Sequence, residues 1–396
     1  LTLALLGGSA LVLRSLWNVV SVPLGFDAER IVTLSATLSR VRYPTSEHGA
    51  VFFEELLARA RIAPGAVSIA LSDSPPPPLS SVTRLTNFEV EGRQYVPNTQ
   101  GVFRVRWVTP QYFETFRIPV VRGRGFQDVD VTGEPAVALN KSAARALFAG
   151  ESALGHRMRL PTVPTISGLK PIPAPWHTVV GVTADIRNGQ ALTDEPSAEI
   201  YFVARPGKWG ELYAGLAASR GVLSLRTSAP PADAATFLRQ TAAALDPKQL
   251  VTIETSDDVL ATLTAQPRFV ASLLTAFAAL ALLLAAAGLY SVASYLVMQR
   301  RRDMAVRVAL GAAPRDLAGH VVGEAGRWII GGAVIGSALG WMGTRALQSQ
   351  LYEVRVLDPL SWTGALLALA VVLVIAVFRP AYRAAHVDPV AALRAE

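Results

Sequence analysis

Thirty consecutive residues, Phe269 to Met298 (FVASLLTAFAALALLLAAAGLYSVASYLVM), carry no charge. At about 1.5 Å per residue a helix of this length is roughly 45 Å long, against about 30 Å of bilayer hydrocarbon. The segment is long enough to cross a membrane and extend past it as a stalk, and the rest of the chain has to be arranged around that crossing. Two further apolar runs follow, at about 328–347, where Arg345 can snorkel to the interface, and at 362–378. Trp328, Trp341 and Trp362 fall near their ends, as interfacial aromatics do. The N-terminus is also apolar from Leu1 to Leu13 and is followed by Arg14. A signal peptide places its positive residues before the apolar stretch. The order here predicts a first membrane span that has lost its beginning, with a short interfacial helix as the alternative. The expected transmembrane part is a helical bundle of four spans, the first truncated, within segments 1–22 and 267–396.

Charge sets the expected topology. The formal net charge is +7, but residues 23–266 carry 24 Lys+Arg against 23 Asp+Glu, and residues 267–396 carry 12 against 7. The excess lies beside the apolar runs, where positive-inside topology and anionic headgroups favour it. A nucleic-acid-binding domain would carry it on the soluble part, so no nucleic-acid partner is expected. Arg300, Arg301, Arg302, Arg307 and Arg315 flank one short loop, and Arg379, Arg383 and Arg394 follow the last run. Both segments are expected in the cytoplasm, and the neutral loop from Arg345 to Ser361 outside. Residues 23–266 then form one large extracytoplasmic domain of a multi-pass inner (plasma) membrane protein. The chain contains no cysteine, which removes disulfide and Cys-based metal or redox chemistry.

The large domain reads as α+β. Alternating or Val/Ile-rich stretches predict strands at Glu29–Leu38, Phe103–Thr109, Ala136–Asn140, His177–Ile186, Ala198–Val203 and Val222–Thr227. Helical spacing predicts Ser46–Ile62, Lys141–Phe148 and Pro231–Leu245, the last with Ala235, Leu238, Ala242 and Leu245 on one face. The prolines of Pro75–Pro78 and of 161–175 predict extended loops. A subdomain at about 91–206 is expected to be inserted into the rest.

Gly150–Arg157 (GESALGHR) has phosphate-loop spacing, but His156-Arg157 stand where Lys and Ser/Thr would be required. The five histidines, His48, His156, His177, His320 and His386, have no metal-ligand spacing, and no GxSxG elbow marks a nucleophile. No catalytic, cofactor-binding or metal-binding residue is assigned, and the chain is not expected to be an enzyme. Gly332, Gly336 and Gly340 recur every fourth residue in the third run, a spacing that lets helix backbones approach closely in lipid. Residues 300–312, RRRDMAVRVALGA, form an amphipathic basic stretch with Met304, Val308 and Ala312 on one face. A juxtamembrane anchor and a lever on which a cytosolic machine acts are both open readings of that stretch.

The sequence RRRDMAVRVALGAAPRDL, the Glu324-Ala325 pair opening a Gly-rich span, and the C-terminal RPAYRAAHVDPVAALRAE resemble the MacB/FtsX-type permeases of ABC transporters. The C-terminal signature stands at Pro380-Ala381, Arg383-Ala384-Ala385, Asp388-Pro389 and Ala392-Leu393-Arg394. The stretches LGFDAERIVTLSATL, VTPQYFETFRIPVVRGRGFQDVD, ALNKSAARALFAGESALGHRMRL and HTVVGVTADIRNGQALTDEP follow in the order of a MacB-type periplasmic core. The chain is also similar to one half of the large duplicated orphan permeases of acidobacteria, in which this unit occurs twice.

The resemblance implies a fold, partners and site residues. The helix after the second span would dock on a cytosolic ABC ATPase through Arg302, Asp303, Arg307, Leu310, Gly311 and Ala312. Asp303-Met304-Ala305 departs from the family's Glu-Ile-Gly, with an acid one methylene shorter and an alanine for glycine. ATP would be bound by the partner, and no cofactor by this chain. Pro380, Ala381, Arg383, Asp388, Pro389 and Arg394 would form a cytoplasmic C-terminal motif. Further expected partners are membrane lipid, a second permease unit (a homodimer or a duplicated half) and an extracytoplasmic accessory protein. The implied function is an export or extraction permease that transmits ATP-driven motion to its external domain. The alternatives are a signalling scaffold regulating an external hydrolase, and a membrane-anchored sensor or enzyme without an ATPase.

Overall fold

A computed structural model of the chain describes residues 2–39, 41–74, 83–86, 88–94, 101–160, 175–187, 196–204, 220–299, 331–332, 334–342 and 358–385. The chain divides into two compact units, Val22–Leu263 and Leu1–Ser21 with Thr264–Glu396.

The first unit is built on a 12-stranded sheet. Its strands are β1 (Ile31–Thr37), β2 (Ala66–Ser72), β3 (Thr83–Leu85), β4 (Glu89–Val90), β5 (Phe103–Val108), β6 (Val120–Gly123), β7 (Ala136–Asn140), β8 (Arg157–Arg159), β9 (His177–Thr183), β10 (Glu199–Val203), β11 (Arg220–Thr227) and β12 (Val251–Thr255). Their order is β12-β1-β11-β2-β5-β10-β7-β9-β8-β4, with β3 added beside β5 and β6 beside β9. The pairs β5/β10 and β7/β9 are parallel and the others antiparallel. An outer half (β1, β2, β11, β12) comes from the two ends of the unit's sequence, and the remaining strands from its middle.

Each half has its own helical cover. In the outer half, α2 (Ser46–Ala60) and α6 (Pro231–Leu245) bury Phe52, Phe53, Leu56, Ala234 and Leu238 against Leu34, Leu71, Leu223 and Leu225. Thr45 caps α2 by accepting from His48 N–H, and Pro231 at the first turn of α6 lacks an N–H the helix would not use there. In the middle half, α5 (Lys141–Phe148) packs Ala143, Leu147 and Phe148 on Val137, Leu139, Val179 and Phe202. The Asn140 amide oxygen accepts from both Ala143 N–H (2.8 Å) and Glu199 N–H (2.9 Å), which fixes the start of α5 to β10. A third cluster holds Tyr112, Phe113, Phe116 and Phe126 around Ala70, Val108 and Tyr201. It is supplied by the single-turn α3 (Tyr112–Thr115) and the residues leading to α4 (Asp128–Thr132).

The helices α5 and α6 occupy the predicted ranges, and the predicted strands at 29–38, 103–109, 136–140, 177–186, 198–203 and 222–227 contain β1, β5, β7, β9, β10 and the body of β11. The sequence reading did not identify β2 or β12. The strand β2 is mostly Ala and Ser, and β12 alternates half-buried and exposed residues (VTIET), so neither carries a strong apolar signal. Pro75–Pro78 and all but Pro175 of the proline stretch at 161–175 lie outside the described residues.

Among the described residues of the second unit, the helices are α1 (Thr2–Val20), α7 (Ser256–Gln299) and α8 (Pro359–Ala385), with residues 334–342 also helical. Three segments among the described residues are long and apolar enough to cross a membrane: Thr2–Val20, Ser256–Val292 and Pro359–Ala376. The helix α7 starts well before the apolar run at Phe269, directly after β12, and passes through Pro267. Thr255 and Asp258 close its N-terminus, with Asp258 Oδ2 accepting from the Thr255 hydroxyl (2.7 Å) and Asp258 N–H donating back to that hydroxyl (3.2 Å).

Candidate functional site

Two constellations stand out, one in each unit. In the helical unit, the Trp362 ring of α8 fills a space left by two missing side chains. A Cβ on Gly7 of α1 would lie 2.9 Å from this ring, and one on Gly340 would lie 2.5 Å from it. A Cβ on Gly336 would meet Leu3 of α1 at 3.2 Å, while nothing among the described residues lies within 4 Å of that position on Gly332. Of the three predicted packing glycines, Gly336 and Gly340 sit in close approaches, and Gly332 meets nothing among the described residues.

One turn towards the start of α8, Asp358 accepts from Arg14 Nη1 at 2.5 Å and from the Ser361 N–H (2.9 Å) and hydroxyl (2.6 Å). The carboxylate is thus both the N-cap of α8 and the partner of the charge within α1. The Gly7–Trp362 and Arg14–Asp358 contacts together run antiparallel, so α1 ends on the side where α8 begins. Arg14, which closes the apolar N-terminal stretch, is an interior residue of α1.

In the sheet unit, charge is buried where the halves meet. The ladder between β2 and β5 has a single register pair, Ser72↔Val108. Side chains complete it: the Thr109 hydroxyl accepts from Leu71 N–H (2.9 Å), and Asp73 Oδ1 accepts from Trp107 N–H (3.1 Å). Beside this seam Arg106, fully buried, donates through Nε to Glu199 Oε1 (3.0 Å) and through Nη1 to the Ser74 carbonyl (3.3 Å). Glu199 Oε2 accepts from the Tyr201 hydroxyl (2.9 Å). Burial pushes the Asp73 carboxyl up to about 6, against the opposing pull of Arg106, the Ser74 hydroxyl and the Trp107 N–H. Burial likewise raises Tyr112 and Tyr201, so both phenols stay protonated.

None of this resembles a nucleophile or metal centre, and no group of acidic or histidine side chains suited to a metal occurs among the described residues. These are structural charges joining packed elements. Sequence reasoning missed Arg14, Asp358, Gly7, Trp362 as a packing residue, Asp73, Arg106 and Glu199. The available signal was a charge inside an otherwise buried strand, as in FRVRWV and EIYFV. The predicted ATPase contact Arg302, Asp303, Arg307, Leu310, Gly311 and Ala312 lies outside the described residues, as do Asp388, Pro389 and Arg394. Pro380, Ala381 and Arg383 fall on the last turns of α8.

Comparison with known proteins gives these features a context. Residues 27–268 match the MacB-like periplasmic core domain, and residues 275–389 match the FtsX-like permease C-terminal family. The chain is 27% identical over 288 residues to the macrolide export ATP-binding/permease protein MacB of Marinobacter nauticus, covering 70% of this chain and 41% of that protein. It is 28% identical over 287 residues to the pyoverdine export ATP-binding/permease protein PvdT of Pseudomonas entomophila, covering 71% and 41%. It thus spans about two-fifths of the length of these curated relatives. Among solved structures, the periplasmic region of MacB from Actinobacillus actinomycetemcomitans aligns with a TM-score of 0.42 at 16% identity, over 62% of this chain and 97% of that one. The core-domain match alone covers more than half of the sequence, and with the permease match beside it the chain belongs to the MacB/FtsX-type permeases of ABC transporters.

Proposed function

We propose that this chain is the permease part of an ABC-type export or extraction system that carries ATP-driven motion from a cytosolic ATPase to an external domain. The observation that carries this reading is α7, one helix of 44 residues from the end of β12 to Gln299. At about 1.5 Å per residue it is roughly 66 Å long, about twice the hydrocarbon thickness. The basic segment 300–312, the proposed ATPase contact through Arg302, Asp303, Arg307, Leu310, Gly311 and Ala312, follows directly. A helix that runs from Gln299 to the end of β12 would transmit displacement without a loop to absorb it.

The finer arrangement belongs to the same proposal. Four spans, at α1, α7, about 328–347 and α8, place the sheet unit outside and the segments 300–312 and 379–396 in the cytoplasm. The antiparallel contact of α1 with α8 supports this, since it puts the end of α1 and the start of α8 on one side. An inserted subdomain at about 91–206 would take in the strands from β5 to β10, which adjoin one another in the sheet. No charge lies between Phe269 and Met298, which fits a cargo handled outside the bilayer. A second permease unit would occupy the second docking site of an ATPase dimer, and an external accessory protein would receive the cargo.

The test is a pull-down in detergent. Arg307→Glu and Leu310→Asp are expected to abolish recovery of the cytosolic ATPase while leaving unfolding of the sheet unit unchanged. Recovery of the ATPase with normal turnover in both variants overturns the coupling assignment.

A further inference from the structure

Residues 22–30, between α1 and β1, are fastened to several separate places in the sheet unit. The Leu24 carbonyl accepts from Arg187 N–H (2.9 Å), and Asp27 N–H donates to the Phe116 carbonyl (2.9 Å). Gly25 has a φ of +80°, and a Cβ there would lie 2.4 Å from the Asp185 carbonyl oxygen, so only glycine fits. The Asp27 carboxylate accepts from Glu29 N–H (2.8 Å) and from Arg117 Nη1 (2.6 Å). Arg226 of β11 closes the arrangement with its side chain 5% exposed. Its Nε donates to the Thr115 carbonyl (2.7 Å), Nη1 to the Glu29 carbonyl (2.8 Å) and Asp27 Oδ2 (3.3 Å), and Nη2 to the Asp27 carbonyl (2.6 Å). Two of the three non-glycine residues with positive φ among those described, Arg30 (+54°) and Arg117 (+50°), flank this point. Backbone held in that region persists only where its surroundings over-determine it.

The position of Arg226 in the sheet matters as much as its bonds. It pairs with Ile31 in the β1/β11 ladder and so belongs to the outer half. Thr115 belongs to α3, which follows β5 of the middle half, and its hydroxyl also meets the Ser68 hydroxyl of β2 (2.8 Å). The halves also join along β2 and β5, through the Ser72↔Val108 pair, the bonds from Asp73 N–H to the Trp107 carbonyl and from Thr109 N–H to the Leu71 carbonyl with their side-chain supplements, and through the apolar cluster of Ile31, Ala70, Tyr112 and Phe116. One planar guanidinium therefore ties together the segment leaving α1, the outer half and the middle half, a geometry a point charge such as lysine does not reproduce.

We infer that Arg226 is the positioning residue that makes both halves of the sheet follow the segment leaving α1, so that a displacement from the membrane is shared and not absorbed at the seam. This rests on the ATP-driven transmission proposed above. The test is hydrogen exchange by mass spectrometry on the full chain with its ATPase in lipid nanodiscs, with and without ATP. In the unsubstituted protein, ATP is expected to change exchange in both 251–263 and 103–117. Arg226→Met is expected to keep ATP turnover and the change in 251–263 while losing at least two-thirds of the change in 103–117, and Arg226→Lys to restore less than half of that loss. If Arg226→Met shows no cooperative unfolding transition, Asp27→Asn, which keeps the carbonyl acceptors, is read by the same criterion. An undiminished change in 103–117 in the variant overturns the inference alone. No ATP-dependent change anywhere in 22–263 of the unsubstituted protein overturns the transmission reading, and the inference with it.

Discussion

Arg106 and Arg226 lie in strands whose other residues are mostly buried, and each survives there because carbonyl and carboxylate oxygens surround its guanidinium. Removing one partner of such a set leaves the others desolvated and unpaired, which typically costs about 3–5 kcal/mol. Arg226→Met is therefore expected to lower the unfolding free energy of the sheet unit by about that amount in denaturant titration. A loss under about 1 kcal/mol would mean that water replaces the guanidinium. Asp73 makes a prediction with a definite sign. Its carboxyl is held near 6 in the fold, against about 3.9 when free. Between these values the folded chain keeps a proton the unfolded chain has lost, so the contribution of Asp73 to stability is fully present below pH 4 and is lost as pH rises through 6. The drop from this group is on the order of 3 kcal/mol. Asp73→Asn is expected to remove that slope, read as equal denaturation midpoints at pH 4.5 and 7 after subtracting the common background. A slope unchanged by the substitution would contradict the assignment. From sequence these residues were only odd charges in apolar strands, because their partners lie 93 positions away for Arg106 and up to 199 for Arg226.

At the scale of elements, legibility followed local signal. Amphipathic helices with caps or an opening proline, α5 and α6, were found at their true limits. The single turn α3 was not, since one turn has no stability of its own and exists because Tyr112, Phe113 and Phe116 are buried. The glycine steps showed that helices approach closely but not which partner fills the space. The structure supplies Trp362, wedged against Gly7 and Gly340. Gly340→Ala is expected to destabilise the helical unit by about 1–3 kcal/mol through overpacking. Gly332→Ala should change it by less than about 0.5 kcal/mol, since its Cβ meets nothing among the described residues. Thermal unfolding in detergent separates the two, and equal effects would mean the glycines act as a uniform stripe. The start of α7 at Ser256 was also hidden, because charged residues and Pro267 precede the apolar run.

For the whole molecule, the membrane-and-external-domain plan was legible because it depends on long uncharged runs and on the placement of arginines. The joining of the sheet was not, since it depends on contacts between distant strands. Both covalent connections to the helical unit reach neighbouring strands at one end, with Val32 of β1 paired to Thr255 of β12 and α7 following at once. That arrangement suits a domain moved from one end. The chain has no native cysteine, so a spin label can be placed cleanly on a cysteine substituted at exposed Glu134. The decisive measurement is the distance between the labels of the two permease units in the permease–ATPase complex, with and without ATP. It is made in the otherwise unaltered chain and in one whose α7 is interrupted by two glycines inserted between Gln266 and Pro267. ATP is expected to shift the distance in the uninterrupted chain, and the interruption to abolish the shift while turnover persists. An equal shift in both chains, or none in the uninterrupted one, would contradict transmission through α7.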